Sequence, residues 1–181
     1  VESGIPTSPG ATGISARLGQ PSTQGYRQFL NDPSAWRKQK LACEADPART
    51  ECRDAIDRAR PTPGHYALAE LENLGVLNLT ITQNVDGLHQ KAGSEQVAEI
   101  HGSRAKLRCI GCESRWPRDE FPVDGHPPVC PECGDLVKTD TVMFGEPVPR
   151  GLLDLCYDAA DRSDCMIAAG TSATVYPAAN P

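Results

Sequence analysis

Four cysteines constrain this chain more than anything else in it. Cys109, Cys112, Cys130 and Cys133 read Cys-x-x-Cys, 17 intervening residues, then Cys-x-x-Cys. Each pair offers two thiolates from one tight turn, and two such knuckles close a tetrahedral shell. A four-thiolate shell leaves no open position for water, so the expected role is structural and the expected metal is zinc. Iron in a rubredoxin-like site is the chemical alternative, but nothing else in the chain suggests electron transfer. Pro131 within the second knuckle and Gly134 just after it suit the turn. The residues between the knuckles carry no hydrophobic period long enough for a core. The module, about 105 to 137, is therefore expected to depend on its metal for folding.

The other four cysteines, Cys43, Cys52, Cys156 and Cys165, show no metal-like clustering and read as small buried hydrophobes. Cys43 and Cys52 flank a polar stretch and would pair only on oxidation. A length of 181 residues, 39% hydrophobic and 23% charged, fits one globular domain or a core with a small satellite. Eighteen Lys+Arg against 24 Asp+Glu leave a net charge of −6, which argues against a nucleic-acid partner held by a basic face. Around the knuckles, Arg104, Lys106, Arg108, Arg115 and Arg118 alternate with Glu113, Asp119, Glu120 and Asp124, which reads as a mixed surface. No apolar run approaches ~18 residues, so no membrane partner is expected.

The rest of the chain has α/β grammar. A polar stretch of about 22–60 reads as a small helical excursion, with Trp36, Leu41 and Ile56 as its buried contacts. Beyond Pro61 and Pro63, Ala67, Leu68, Leu71 and Leu74 share a helical face, and Gly75 stops the helix. Val76–Thr82 is short, branched and apolar, as a buried strand should be, and runs into the polar loop QNVDGLHQKAG. Val97–Ile100 is a second strand candidate leading into His101. Arg150–Asp161 is helix-like, with Leu152, Leu153, Leu155, Cys156 and Ala159 on its apolar side. Cys165–Ala169 reads as a buried strand ending in the turn Gly170-Thr171-Ser172. In such folds ligands gather beyond the carboxyl ends of parallel strands.

Three polar clusters lie at those strand ends: Thr82 to His89, Glu99 to Ser103, and Gly170 to Ser172. Singly each has a plain explanation; Asn84 and Asp86, for example, suit Asx-turns. In order along the chain, however, SGIPT (Ser3 to Thr7), TQNVDGLHQKAG, EIHGS around His101, the two knuckles, MFGE (Met143 to Glu146) and GTS form a series. That series resembles the sirtuin family of NAD-dependent protein deacylases, from Val1 to the last residue. The resemblance implies a Rossmann-like NAD-binding domain, residues 1–104 and 138–181, with a helical lobe and an inserted zinc-binding small domain at 105–137. It implies NAD and an acyl-lysine protein or peptide as co-substrates, with deacetylation the expected activity. Carried over by motif, Ile5, Asn84 and Asp86 would surround the nicotinamide, and Gln83 its ribose. Gly170, Thr171 and Ser172 would meet the phosphates or the other ribose. His101 would be the general base. Val142 and Phe144 would wall the acyl-lysine tunnel, and the backbone of Gly145 and Glu146 would pair with the peptide. A non-catalytic NAD sensor and a protein ADP-ribosyltransferase are the competing functions.

Four departures accompany the resemblance. The family's Gly-Ala-Gly turn would lie before Val1, and the strands that grip the adenine would lie past Pro181. The threonine of SGIPT is followed by Ser8-Pro9-Gly10 in place of the usual Phe-Arg-Gly. In the helical excursion, Gln39 and Ala42 stand where acidic-acyl enzymes carry tyrosine and arginine, which favours neutral acyl groups. The expected location is cytoplasm or nucleus, with the mitochondrion left open by the missing family start.

Overall fold

A computed structural model describes residues 3–5, 24–121, 126–171, 176 and 178. The helical excursion forms three helices, α1 (Gly25–Asn31), α2 (Pro33–Glu44) and α3 (Pro47–Arg58). Two of their starts are written locally. Asp32 accepts the Ala35 N–H at 2.8 Å ahead of Pro33, and Asp46 accepts Ala48 and Arg49 N–H at 2.8 and 3.2 Å ahead of Pro47. A carboxylate satisfies the open amides while proline occupies the position whose N–H would be orphaned. Packing departs from expectation. Phe29 is the buried aromatic, 5.1 Å edge-on to a half-buried Trp36, while Leu41 is exposed.

Helix α4 (Pro63–Asn73) starts from a capping box between Thr62 and His65. Its buried residue is Ala69, and Leu71 and Leu74 are exposed. The expected apolar face is covered only in part, with Leu68 half-buried; α4 meets the short helix α5 (Leu88–Lys91) through His65, whose ring lies against that of His89. Strands β1 (Thr80–Thr82) and β2 (Val97–Glu99) pair in parallel, Ile81 opposite Ala98. The β1 ladder covers the last three residues of the expected strand, since its partner supplies only three. Ala98, Ile100, Val148 and Cys156 form the core beneath this sheet. Helix α6 (Arg150–Asp161) closes that core with Leu152 and Leu153, but leaves Leu155 exposed.

The cysteine module is a separate antiparallel sheet in the order β4-β3-β5: β3 (Lys106–Cys109), β4 (Arg115–Pro117) and β5 (Val137–Thr139). The sheet ends at Thr139, two residues past the expected boundary. It has a small core after all: Leu107, Cys109, Cys130 and Val137, with Trp116 and Phe121 against them. One expected strand does not form. Cys165–Ala169 is exposed throughout, Ile167 to 81%, and pairs with no strand among the described residues. Apolar composition makes a strand only where a neighbour supplies the ladder. Cys165 is accordingly exposed and Cys43 half-buried, while Cys52 and Cys156 are buried as expected, and all four are free. No helix of the described residues is long and apolar enough to cross a membrane.

Candidate functional site

The ends of β1 and β2 carry the first two polar clusters, and Gly170 and Thr171 follow the unpaired 165–169 segment. Leaving β1, the Thr82 hydroxyl accepts the Asn84 N–H at 3.1 Å. Asp86 then accepts the Leu88 N–H at 3.0 Å and starts α5. Asp86 thus makes the Asx-turn, whereas the turn at Asn84 is made by Thr82, leaving the Asn84 side chain exposed. Half-buried Gln83 links its own cluster to the other two. Its side-chain amide reaches the Thr171 hydroxyl at 3.5 Å, and its carbonyl lies 3.2 Å from His101 Nδ1. A carbonyl only accepts, so Nδ1 donates in this contact, and in the neutral ring the lone pair then lies on Nε2. Gly170 (φ +67°) and Thr171 are exposed, and Ile5 is half-buried. Ser172 lies outside the described residues.

Gly102 brings the cysteine sheet against this histidine. Its φ is +74°, and a Cβ there would stand 1.9 Å from the Asp140 carbonyl oxygen. Only glycine permits that approach. The loop from β5 to α6 then passes His101, whose carbonyl accepts the Val142 N–H at 2.9 Å. Val142 is half-buried and packs on the core; Phe144 is exposed, and its carbonyl accepts the Tyr26 N–H from α1. Gly145 (φ +81°) turns the chain.

The side chains that hold this loop were not legible as a site. Arg108 was expected on a mixed surface; it is buried, with Nε donating to Asp140 at 2.8 Å and Nη2 to Glu146 at 2.5 Å. Lys138 pairs with the other Glu146 oxygen at 3.0 Å, and Arg115 reaches Asp140 at 3.2 Å. Burial lowers the Lys138 pKa against the pull of Glu146. Lys40 of α2 donates to the Thr139 hydroxyl at 2.7 Å and lies over the Trp36 ring. Burial lowers it to about 8, Glu44 opposes the fall, and Arg118, Lys138 and Arg37 add to it. Near α5, the His89 ring lies 4.8 Å from that of His65, and burial first, then His65, lowers the His89 pKa against Asp86. His126 is exposed, as expected.

The knuckle sulfurs converge as the spacing requires. All four lie within 4.8 Å of one another, Cys109 to Cys133 at 3.4 Å and Cys112 to Cys130 at 3.6 Å. Zinc–sulfur bonds of about 2.3 Å imply sulfurs about 3.8 Å apart, so the cage fits the ion. Backbone N–H groups of Gly111, Cys112 and Glu132 point at the sulfurs at 3.3 to 3.5 Å. Such donors favour thiolate. Hydrogen bonding to Ser114 pulls Cys112 down to about 6. Cys133 is pulled down by the Asp135 N–H, yet its contact with Cys109 and burial push it up to about 12. Neighbouring thiols oppose one another's ionisation, and a bound dication removes that conflict.

Comparison with known proteins gives one consistent answer. The Sir2 family pattern matches residues 1–177. An NAD-dependent protein deacylase 2 of Pyrobaculum aerophilum is 44% identical over 179 residues, 98% of this chain and 68% of that protein. An NAD-dependent protein deacylase of Thermococcus kodakarensis is 40% identical, again over 98% of this chain and 68% of the relative. Among solved structures, a Sir2 homologue in complex with NAD superposes with a TM-score of 0.73 at 38% identity, over 99% of this chain and 66% of that one. A Sir2 protein bound to a deacetylated p53 peptide and 3′-O-acetyl ADP-ribose superposes at 0.70 and 31% identity, over 99% and 70%.

Proposed function

This chain belongs to the Sir2 family, and from that premise we propose that it is an NAD-dependent protein-lysine deacylase whose general base is His101. The observation that carries the reading is the contact of His101 Nδ1 with the Gln83 carbonyl, which leaves Nε2 as the acceptor. An imidazole acting near neutral pH is suited to take a proton from a ribose hydroxyl. When bound, NAD supplies an activated glycosidic carbon and a nicotinamide leaving group. The chain's own residues orient and exclude. Gln83 and Thr171, linked side chain to side chain, offer an amide and a hydroxyl where a ribose would be read. Asn84 presents an exposed amide beside them, and Asp86 keeps one carboxylate oxygen beyond its turn bond for the carboxamide. Ile5 would shield one side, and Gly170 and Ser172 would meet phosphate or ribose.

The acyl-lysine would enter along the 142–146 loop, walled by Val142 and Phe144. The backbone of Gly145, an exposed residue, and of Glu146 would take the peptide as an added strand, while the Phe144 carbonyl is already held by the Tyr26 N–H. The four thiolates fit zinc, which would hold the β4-β3-β5 sheet and take no part in the reaction. The test is the full-length protein and its His101→Ala variant with NAD and an acetyl-lysine peptide, following peptide mass and nicotinamide together. Matched loss of acetyl and gain of nicotinamide, abolished in the variant, is expected. Nicotinamide release without deacylation favours ADP-ribosyl transfer. NAD binding with neither reaction favours a sensor.

A further inference from the structure

Buried charges connect the cysteine sheet to the peptide-facing turn. Arg108 on β3, Lys138 on β5 and Asp140 just beyond it are each at most 4% exposed, and the Glu146 side chain is 3% exposed. Glu146 sits at the end of MFGE, 38 residues from Arg108. One of its oxygens takes Arg108 Nη2; the other takes Lys138 Nζ at 3.0 Å and also the Met143 N–H at 2.8 Å. The Met143 carbonyl in turn accepts the Glu146 N–H at 3.0 Å. The turn 143–146 is thus closed twice, once by backbone and once by its own carboxylate. Lys138 is tied in place by the Thr139 and Thr141 carbonyls at 2.9 and 2.8 Å. Arg108 is tied by Asp140, which Arg115 also holds.

A buried ion pair is weak evidence for stability, because a well-packed apolar replacement is often as stable. What it does supply is a defined geometry, since each charge must face its partner. Here the geometry delivered is that of Phe144 and Gly145, the two residues that the carboxylate spans.

We propose that Arg108 and Lys138 are positioning residues for the acyl-lysine peptide: from two strands of the cysteine sheet they hold the Glu146 carboxylate, and that carboxylate sets the 143–146 turn on which the peptide backbone docks. The proposal rests on the deacylase reading and adds to it the route by which the metal-bearing sheet shapes substrate binding. It requires no movement and no contact between these side chains and the substrate.

The experiment uses the full-length, zinc-loaded protein and its Glu146→Gln variant, which keeps shape and removes charge. The KM for an acetyl-lysine peptide is expected to rise about tenfold, the scale of one lost charge-assisted hydrogen bond. The KM for NAD and the zinc content stay within about twofold. Exchange of the Met143 amide accelerates about tenfold, because its acceptor is weakened. Should Glu146→Gln fail to fold, Arg108→Lys carries the same comparison, since it keeps the charge and loses the fork that bridges Asp140 and Glu146. An unchanged peptide KM in a folded, zinc-loaded variant overturns the proposal. So does an equal rise in the KM for NAD, which signals general damage. Unaltered Met143 exchange defeats the positioning claim alone, whereas a wild-type protein without NAD-dependent deacylation defeats the functional reading beneath it.

Discussion

Replacing Gly102 by alanine asks the structure for two separate concessions. The first is conformational: φ is +74°, where a side chain costs about 1–2 kcal/mol. The second is steric. The new Cβ would lie 1.9 Å from the Asp140 oxygen, 2.7 Å from its carbon and 3.2 Å from Thr141 Cα. All three are backbone atoms, so no rotamer change relieves the overlap, and overpacking of this kind costs about 1–3 kcal/mol. Together they predict a loss of about 2–5 kcal/mol. At about 2–4 °C per kcal/mol for a domain of this size, Tm should fall by about 4 °C or more. Gly75→Ala is the control, with φ +71° and nothing within 4 Å of the new Cβ. Only the conformational cost applies there. Denaturant titration of both variants separates the two effects. Since residues 140–142 must shift and Val142 is bonded to the His101 carbonyl, kcat should fall in Gly102→Ala as well. A Gly102→Ala protein as stable and as active as Gly75→Ala would refute the close approach of sheet and histidine.

Three further outcomes are expected. A strong chelator should release one zinc per chain and unfold the cysteine sheet, read as a change in Trp116 emission, since Trp116 packs on Phe121 at 5.2 Å within that core; retention of the Trp116 signal in metal-free protein would contradict a structural role. Lys40, lowered from 10.5 to about 8, is protonated in the unfolded chain and neutral in the folded one between those pH values, so stability rises with pH across that window by about 3 kcal/mol in full. Denaturation of Lys40→Met should lack that rise, and an identical pH slope in the two proteins would count against the buried amine. His89 has its pKa lowered by burial and His65, so the unfolded state takes up the proton first as pH falls below 6.5. Stability should drop there in the wild type and less in His89→Asn, measured by urea midpoints at pH 7.5 and 5.5.

Where the chemistry is encoded over a few neighbours, it was legible. Two Cys-x-x-Cys pairs predicted a four-sulfur cage, and four sulfurs converge. The 150–161 helix and the β2 start were readable from period and punctuation alone. The ordered motifs announced the family, which the relatives confirm. Two readings failed for a shared reason. Cys165–Ala169 has the composition of a buried strand and lies exposed, and Leu71 and Leu74 form a helical face that is not covered. Hydropathy states that a face suits burial; a neighbouring element decides whether it is buried.

The cysteine spacing, the capped helix starts and the identity of the strand-end clusters were determined by the sequence alone, because each depends on residues a turn or two apart. Tertiary structure alone decided that Arg108 leaves the surface for Glu146, that Lys40 crosses 99 residues to Thr139, and that Gly102 lies against the Asp140 carbonyl. Those contacts carry no local signature. A charged residue reads the same whether solvated or buried, and only the docking of the cysteine sheet beside the parallel strands supplies the partner that makes burial affordable.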